Sequence, residues 1–232
     1  MKLVVENIKK SFGNNEVLKG LNYKFEEGKI YALLGRNGAG KTTFFNCLNE
    51  DLDMDDGTYY FMDGDNKIKV EDEDIGYVLS TPVVPDFLTA REFIKFFIEI
   101  NENRIKDLKD EDYYFDLVKI KKEDRNKLLK DYSHGMKNKV QMLVNIISDS
   151  KILLLDEPLT SLDVVVAEEM KELLKTIKKN KILIFSTHIM ELATTLCDEI
   201  VLLNHGVLEE VNKKNLNDKE LKNKIIESLK EE

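Results

Sequence analysis

Apolar positions recur with two different periods along the 232-residue chain, and the switch between them divides it. Residues 2–9 and 22–25 alternate apolar and polar side chains, as half-buried strands do, and residues 29–34 (KIYALL) read as a buried strand. Residues 57–62 and 75–79 are further strand candidates around the turn signal DGDN. From Thr89 onward the period becomes helical through REFIKFFIEI and DLKDEDYYFDLVKI, making a helical block that lasts to about residue 148. Then come KILLL, a helix over about 164–178, KILIF, a short helix near 190–196, and DEIVLL. Strands alternating with helices predict a mostly parallel sheet covered by helices, with the helical block as an insertion.

The last helix of that block follows DYSHG. Met136, Val140, Leu143, Val144 and Ile147 fall on one face, and Lys137, Lys139 and Gln141 fall on the polar one. Ser133 stands where a hydroxyl would satisfy free N–H groups at the helix entrance. REFIKFFIEI is apolar on two sides. Phe93, Phe96, Phe97 and Ile100 face one way while Ile94 and Ile98 face another, which suits either a wholly internal helix or one that also meets a partner. Residues 212–232, with Leu221, Ile225 and Leu229 in a thin stripe, read as a helix on the surface of its own domain, with a dimer contact as the other reading.

Composition narrows the function classes. With 42% hydrophobic residues the chain can bury one sizeable core or two modest lobes. A net charge of −9 disfavours nucleic acid as a partner. The N-terminus lacks the apolar stretch of a signal peptide, and no segment approaches the roughly 18 apolar residues of a membrane span. The expectation is a protein soluble by itself. Cys47 and Cys197 form no Cys-x-x-Cys pattern, which fits small buried hydrophobes in a reduced, cytosolic protein.

Three stretches carry chemistry. LLGRNGAGKTT ends a strand, opens a helix and fits G-x-x-x-x-G-K-[ST] through Gly35, Gly40, Lys41 and Thr42. With Asn37 and Gly38 it forms a loop whose backbone N–H groups curl around a β-phosphate. Lys41 brings charge to the β- and γ-phosphates, and the Thr42 hydroxyl can ligate Mg2+. KILLLDEP places Asp156 and Glu157 at the carboxyl end of a buried strand, where parallel sheets bind ligands. Asp156 there suits Mg2+, and Glu157 suits orienting or deprotonating an attacking water. Beside a phosphate loop this reading outweighs a mere strand end and helix cap. STHIMEL puts His188 on the same edge, in reach of a γ-phosphate, although a lone His is more often a cap or core residue. His205, in NHGVL, reads as a turn between two short strands.

The order of phosphate loop, Ser-x-Gly helix, LLLDEP, SLD and STH resembles the ATP-binding subunit of ABC transporters, over residues 2 to about 210. The resemblance implies an α/β P-loop NTPase fold with a RecA-like, mostly parallel sheet, an antiparallel β subdomain and an inserted helical subdomain. It implies a single domain: residues 1–82 and 149–211 as the sheet lobe, 83–148 as the helical lobe carrying the signature, and 212–232 as a C-terminal helix. ATP and Mg2+ are the implied ligands. Ser133 and Gly135 align with the signature serine and second glycine, whose helix tip faces the γ-phosphate held by a partner subunit. Phe12 looks like the adenine-stacking aromatic, an ordinary strand aromatic being the other reading. Thr43 would touch the α-phosphate, and Asp163 would link two ATP sites across a dimer. Ser80 occupies the place of the family's Mg2+-reaching Gln, and its side chain is too short for that reach without a bridging water. The signature reads Tyr132, Ser133, His134, Gly135, Met136, which is similar to a branch of bacterial drug and antimicrobial-peptide exporters.

The implied protein hydrolyses ATP as a head-to-tail dimer with a second ATP-binding subunit, identical or not. Its other partner is an integral membrane transporter subunit, which holds it at the cytoplasmic face of the membrane. A soluble ABC ATPase acting on DNA or the ribosome fits less well with one copy, no heptad run and acidic charge. A regulatory subunit that binds ATP with weak hydrolysis is favoured by Ser80 and opposed by Glu157 and His188.

Overall fold

The computed structural model describes residues 1–103, 105, 108–160, 162–211 and 225. An antiparallel hairpin comes first, β1 (Lys2–Phe12) and β2 (Asn15–Glu26), followed by β3 (Ile30–Leu34) and α1 (Lys41–Leu48). β4 (Asp56–Asp63), β5 (Asn66–Ile68) and β6 (Ile75–Val78) precede three helices, α2 (Ala90–Asn101), α3 (Glu111–Leu117) and α4 (His134–Ile147). The chain then alternates: β7 (Ile152–Asp156), α5 (Val164–Ile177), β8 (Ile182–Thr187), α6 (Met190–Leu196), β9 (Glu199–Asn204) and β10 (Val207–Val211).

These strands form two sheets, an antiparallel one in the order β2-β1-β4-β5 and a larger one in the order β10-β9-β3-β8-β7-β6. In the larger sheet only β10 runs antiparallel to its neighbour. β3, β7 and β8 are buried along their whole length, and successive residues feed opposite cores. Ala32, Leu34, Leu153, Leu155, Leu183 and Phe185 pack under the helices. Tyr31, Leu33, Leu154 and Ile184 pack with Phe44 and Phe45 of α1 and with Leu3, Phe25 and Phe61 of the antiparallel sheet. Strands covered on both faces need no polar alternation, which is why KIYALL, KILLL and KILIF are continuous apolar runs. Each fully buried Leu or Ile contributes roughly 1.5–3 kcal/mol, so the double burial holds these three strands firmly.

Three expectations need correction. β5 is a strand the pattern did not predict. All three of its residues are exposed, so its pairing with β4 comes from the turn at Gly64 rather than from an apolar face. On α4, Lys139 and Gln141 are buried rather than solvated, because Lys139 pairs with Glu169 of α5 and Gln141 lies against Leu79, just after β6. On α2, Phe93 and Phe97 join Ile94 and Ile98 against the core, which leaves Phe96 and Ile100 exposed. The expected helix over 212–232 lies outside the described residues, apart from Ile225, which is helical and buried.

Because β6, β7, β8 and β3 are parallel and adjacent, their carboxyl ends open on one edge. The segments after them carry Ser80, Asp156 with Glu157, His188 and the glycine loop, side by side.

Candidate active site

Asn37, Gly38, Gly40, Lys41, Thr42, Thr43, Ser80, Asp156 and Glu157 line one open cavity of about 280 Å3, together with Val17 of β2. The loop that forms its floor owes its shape to glycine. Gly40, the residue before α1, has φ 103°, and a Cβ there would lie 2.8 Å from a Val17 methyl. Gly35, at the end of β3, is not a lining residue. It lets the chain pass the Leu203 carbonyl, 2.9 Å from where its Cβ would be.

Lys41 is almost wholly buried, and its ammonium donates to the Gly35 carbonyl at 2.8 Å and the Arg36 carbonyl at 3.1 Å. Glu157 Oε1 stands 3.7 Å away. Burial pushes the Lys41 pKa down, and the carboxylates of Glu157 and Asp156 oppose that shift. The charge is thus held in an environment that wants more anion than it has.

The Thr42 hydroxyl donates to Asp156 Oδ2 at 2.8 Å, and the Ser186 hydroxyl donates to Asp156 Oδ1 at 2.6 Å. Next along the chain Glu157 adopts a left-handed backbone, φ 47°, an arrangement that costs a non-glycine residue roughly 1–3 kcal/mol and is found where function demands it. Its N–H donates to Ser186 Oγ at 2.9 Å. Its carboxylate takes a hydrogen bond from the Thr160 hydroxyl on Oε2 at 3.0 Å and lies 3.0 Å from His188 Nδ1 on Oε1. His188 is therefore tied to the cavity through Glu157.

The remaining residues singled out from sequence lie apart from this cavity. Phe12 is half exposed at the end of β1. Ser133 caps α4 by accepting from the Met136 N–H at 3.3 Å, and Asp163 caps α5 by accepting from Val165 and Val166, both at 3.0 Å. Gly135 faces this chain's own α5, since a Cβ on it would sit 3.2 Å from a Val166 methyl. The tips of α4 and α5 thus form a second cluster. His205 occupies the β9–β10 turn with φ 48°, as expected.

Three residues escaped the sequence reading: Ser186, Thr160 and Gln141. The Gln141 amide, turned to donate to the Leu79 carbonyl and accept from the Leu79 N–H, both at 3.2 Å, fixes the backbone just before Ser80. Ser186 ends the apolar run of β8 with Thr187, and nothing local marks its role, which comes from its pairing with Asp156 across the sheet.

Asp156 and Thr42 offer hard oxygens on an open cavity, which suits Mg2+, a cation that keeps waters and takes the rest of its ligands from phosphate. Among the described residues no group of three or more His, Cys, Asp or Glu could hold a metal by itself.

A mostly parallel sheet with a phosphate loop and two acids at its carboxyl edge defines a nucleoside triphosphatase. The model of the ABC transporter family matches residues 18–160, and the chain belongs to that family as an ATP-binding, ATP-hydrolysing subunit. An uncharacterized ABC transporter ATP-binding protein, MJ1023 of Methanocaldococcus jannaschii, is 33% identical over 88% of this chain and 75% of its own length. The bacitracin transport ATP-binding protein BcrA of Enterococcus faecalis is 31% identical over 89% of this chain and 68% of its own. Other relatives are named as importers of ribose, sulfate/thiosulfate or phosphonates. The fold matches that of the ATP-binding cassette MJ0796, solved as a dimer bound to ADP and Pi, with a TM-score of 0.75 over 91% of this chain and 98% of that one at 21% identity.

Proposed function

We propose that this subunit closes on Mg-ATP as a head-to-tail dimer and uses hydrolysis to drive a separate integral membrane transporter subunit. The observation that carries the reading is the separation of two clusters. Lys41, Thr42, Asp156 and Glu157 converge on one cavity, while Ser133 and Gly135, at the entrance of α4, do not line it. A helix entrance is an anion site, so this one is available to the triphosphate of a second copy.

The triphosphate displaces Glu157 as the counter-charge of Lys41, and the glycine loop donates its N–H groups to the β-phosphate. Mg2+ would be held by Thr42 and Asp156 and would neutralise phosphate charge. Glu157 accepts the proton of the water that attacks the γ-phosphorus as the bond to the β–γ bridging oxygen breaks and ADP leaves, and His188, hydrogen-bonded to the same carboxylate, orients it. Ser80 reaches this chemistry through water. Phe12 offers an exposed ring for adenine stacking, and Asp163 stands at the tip where two copies would meet.

Among the described residues no helix is long and apolar enough to cross a membrane. The exposed Val83, Phe87, Phe96 and Ile100, on and just before α2, suit the membrane subunit as the occupant that covers them. Export is the favoured direction, supported by the Tyr-Ser-His-Gly-Met signature and by the bacitracin and lantibiotic names among the relatives. Light scattering of Glu157→Gln with Mg-ATP tests the dimer: doubling of mass is expected. A monomer that persists even with the native membrane component present would overturn it.

A further inference from the structure

Ser186 is wholly buried in β8, directly across the sheet register from Asp156, and one hydroxyl serves both neighbouring acids. Its proton goes to Asp156 Oδ1 at 2.6 Å, and its lone pair accepts the Glu157 N–H at 2.9 Å. With Thr42 on Oδ2, both oxygens of Asp156 are held, so the carboxylate cannot rotate. The second bond acts on the backbone. Glu157 is left-handed, its side chain lies against Lys41 and His188, and its N–H, fixed in the peptide plane shared with Asp156, meets the Ser186 hydroxyl. Without an acceptor there, this part-buried N–H would lose its partner. Thr160 then fixes the far end of the same side chain.

We infer that Ser186 is a positioning residue for ATP hydrolysis, setting the metal-binding acid and the water-activating acid with a single hydroxyl. The inference rests on the roles given above to Asp156 and Glu157. It differs from a packing role in one respect: it predicts dependence on the hydroxyl rather than on side-chain volume. Thr and Val share a shape and differ in that group alone.

The test compares steady-state ATPase of the full chain, with its membrane component where turnover requires it, for Ser186→Ala, Ser186→Val, Ser186→Thr and Glu157→Gln. Ser186→Ala and Ser186→Val are expected to lose about tenfold in kcat, with KM for ATP changed less than threefold and the Mg2+ activation midpoint raised. Ser186→Thr should recover most of kcat. If Thr does not fit the buried site, the kcat-against-KM split of Ser186→Ala decides. Turnover by Ser186→Ala within twofold of the parent overturns the inference, as does equal impairment of folded Thr and Val variants. If Glu157→Gln is inactive while Ser186→Ala is not, the positioning role fails and the role of Glu157 stands. Normal turnover by Glu157→Gln removes the reading on which both depend.

Discussion

Lys41 and Gly40 show how much of the site rests on single atoms. Replacing Lys41 with Ala removes a buried charge-assisted contact to phosphate, worth roughly 1.5–3 kcal/mol. ATP affinity measured by calorimetry should fall at least about tenfold, and unchanged binding would remove Lys41 from its place. Gly40→Ala meets both a left-handed backbone and a methyl 2.8 Å away, so it should lower stability by roughly 1–3 kcal/mol in urea titrations and weaken nucleotide binding with it. Cys47 gives a quieter test. Burial pushes its thiol up to about 11, so it should resist maleimide labelling at neutral pH until the chain is unfolded. Rapid labelling of the folded protein would contradict the burial.

Among the elements, α4 does more than its amphipathic pattern announces. Gln141 grips Leu79, and Asn145 leans on Gly76, whose missing Cβ lets its amide oxygen approach. Lys139 pairs with Glu169 of α5. Gln141→Leu strands the Leu79 N–H and carbonyl, and should cost roughly 1–3 kcal/mol of stability while slowing turnover through the Ser80 segment. A variant with parental denaturation midpoint and kcat would show that the clamp is idle. KILLL, KILIF and the glycine loop were legible because a run of apolar residues ending in chemistry is local information. Lys139 and Gln141 were misplaced because their burial depends on partners 30 and 62 positions away, in α5 and just after β6, which no helical period contains. Ser186 was hidden for the same reason, its meaning being set by the β7–β8 register. The cap at Ser133 was readable as a cap, and the structure finds it capping; the cap that Asp163 makes on α5 was not foreseen.

At the scale of the molecule, the two cores on either face of the larger sheet make the edge a rigid platform, and ligand binding should be felt throughout. A ligand that binds only the folded chain stabilises it by about 2.7 kcal/mol at a hundredfold excess over Kd. Mg-ATP should therefore raise the thermal midpoint of Glu157→Gln by several degrees. A midpoint indifferent to nucleotide would deny that the cavity is the binding site.

The larger sheet also ends in two outer strands, and such strands invite pairing with other molecules. At β10 the acids Glu209 and Glu210 guard the flank. At the end of β6 the guard is the Gln141 amide, which occupies the hydrogen-bonding groups of Leu79, the next residue, that an incoming strand would seek. Heat that loosens α4 thus uncovers a ready template, and clumping of this protein should begin at β6 well before the rest of the sheet comes apart.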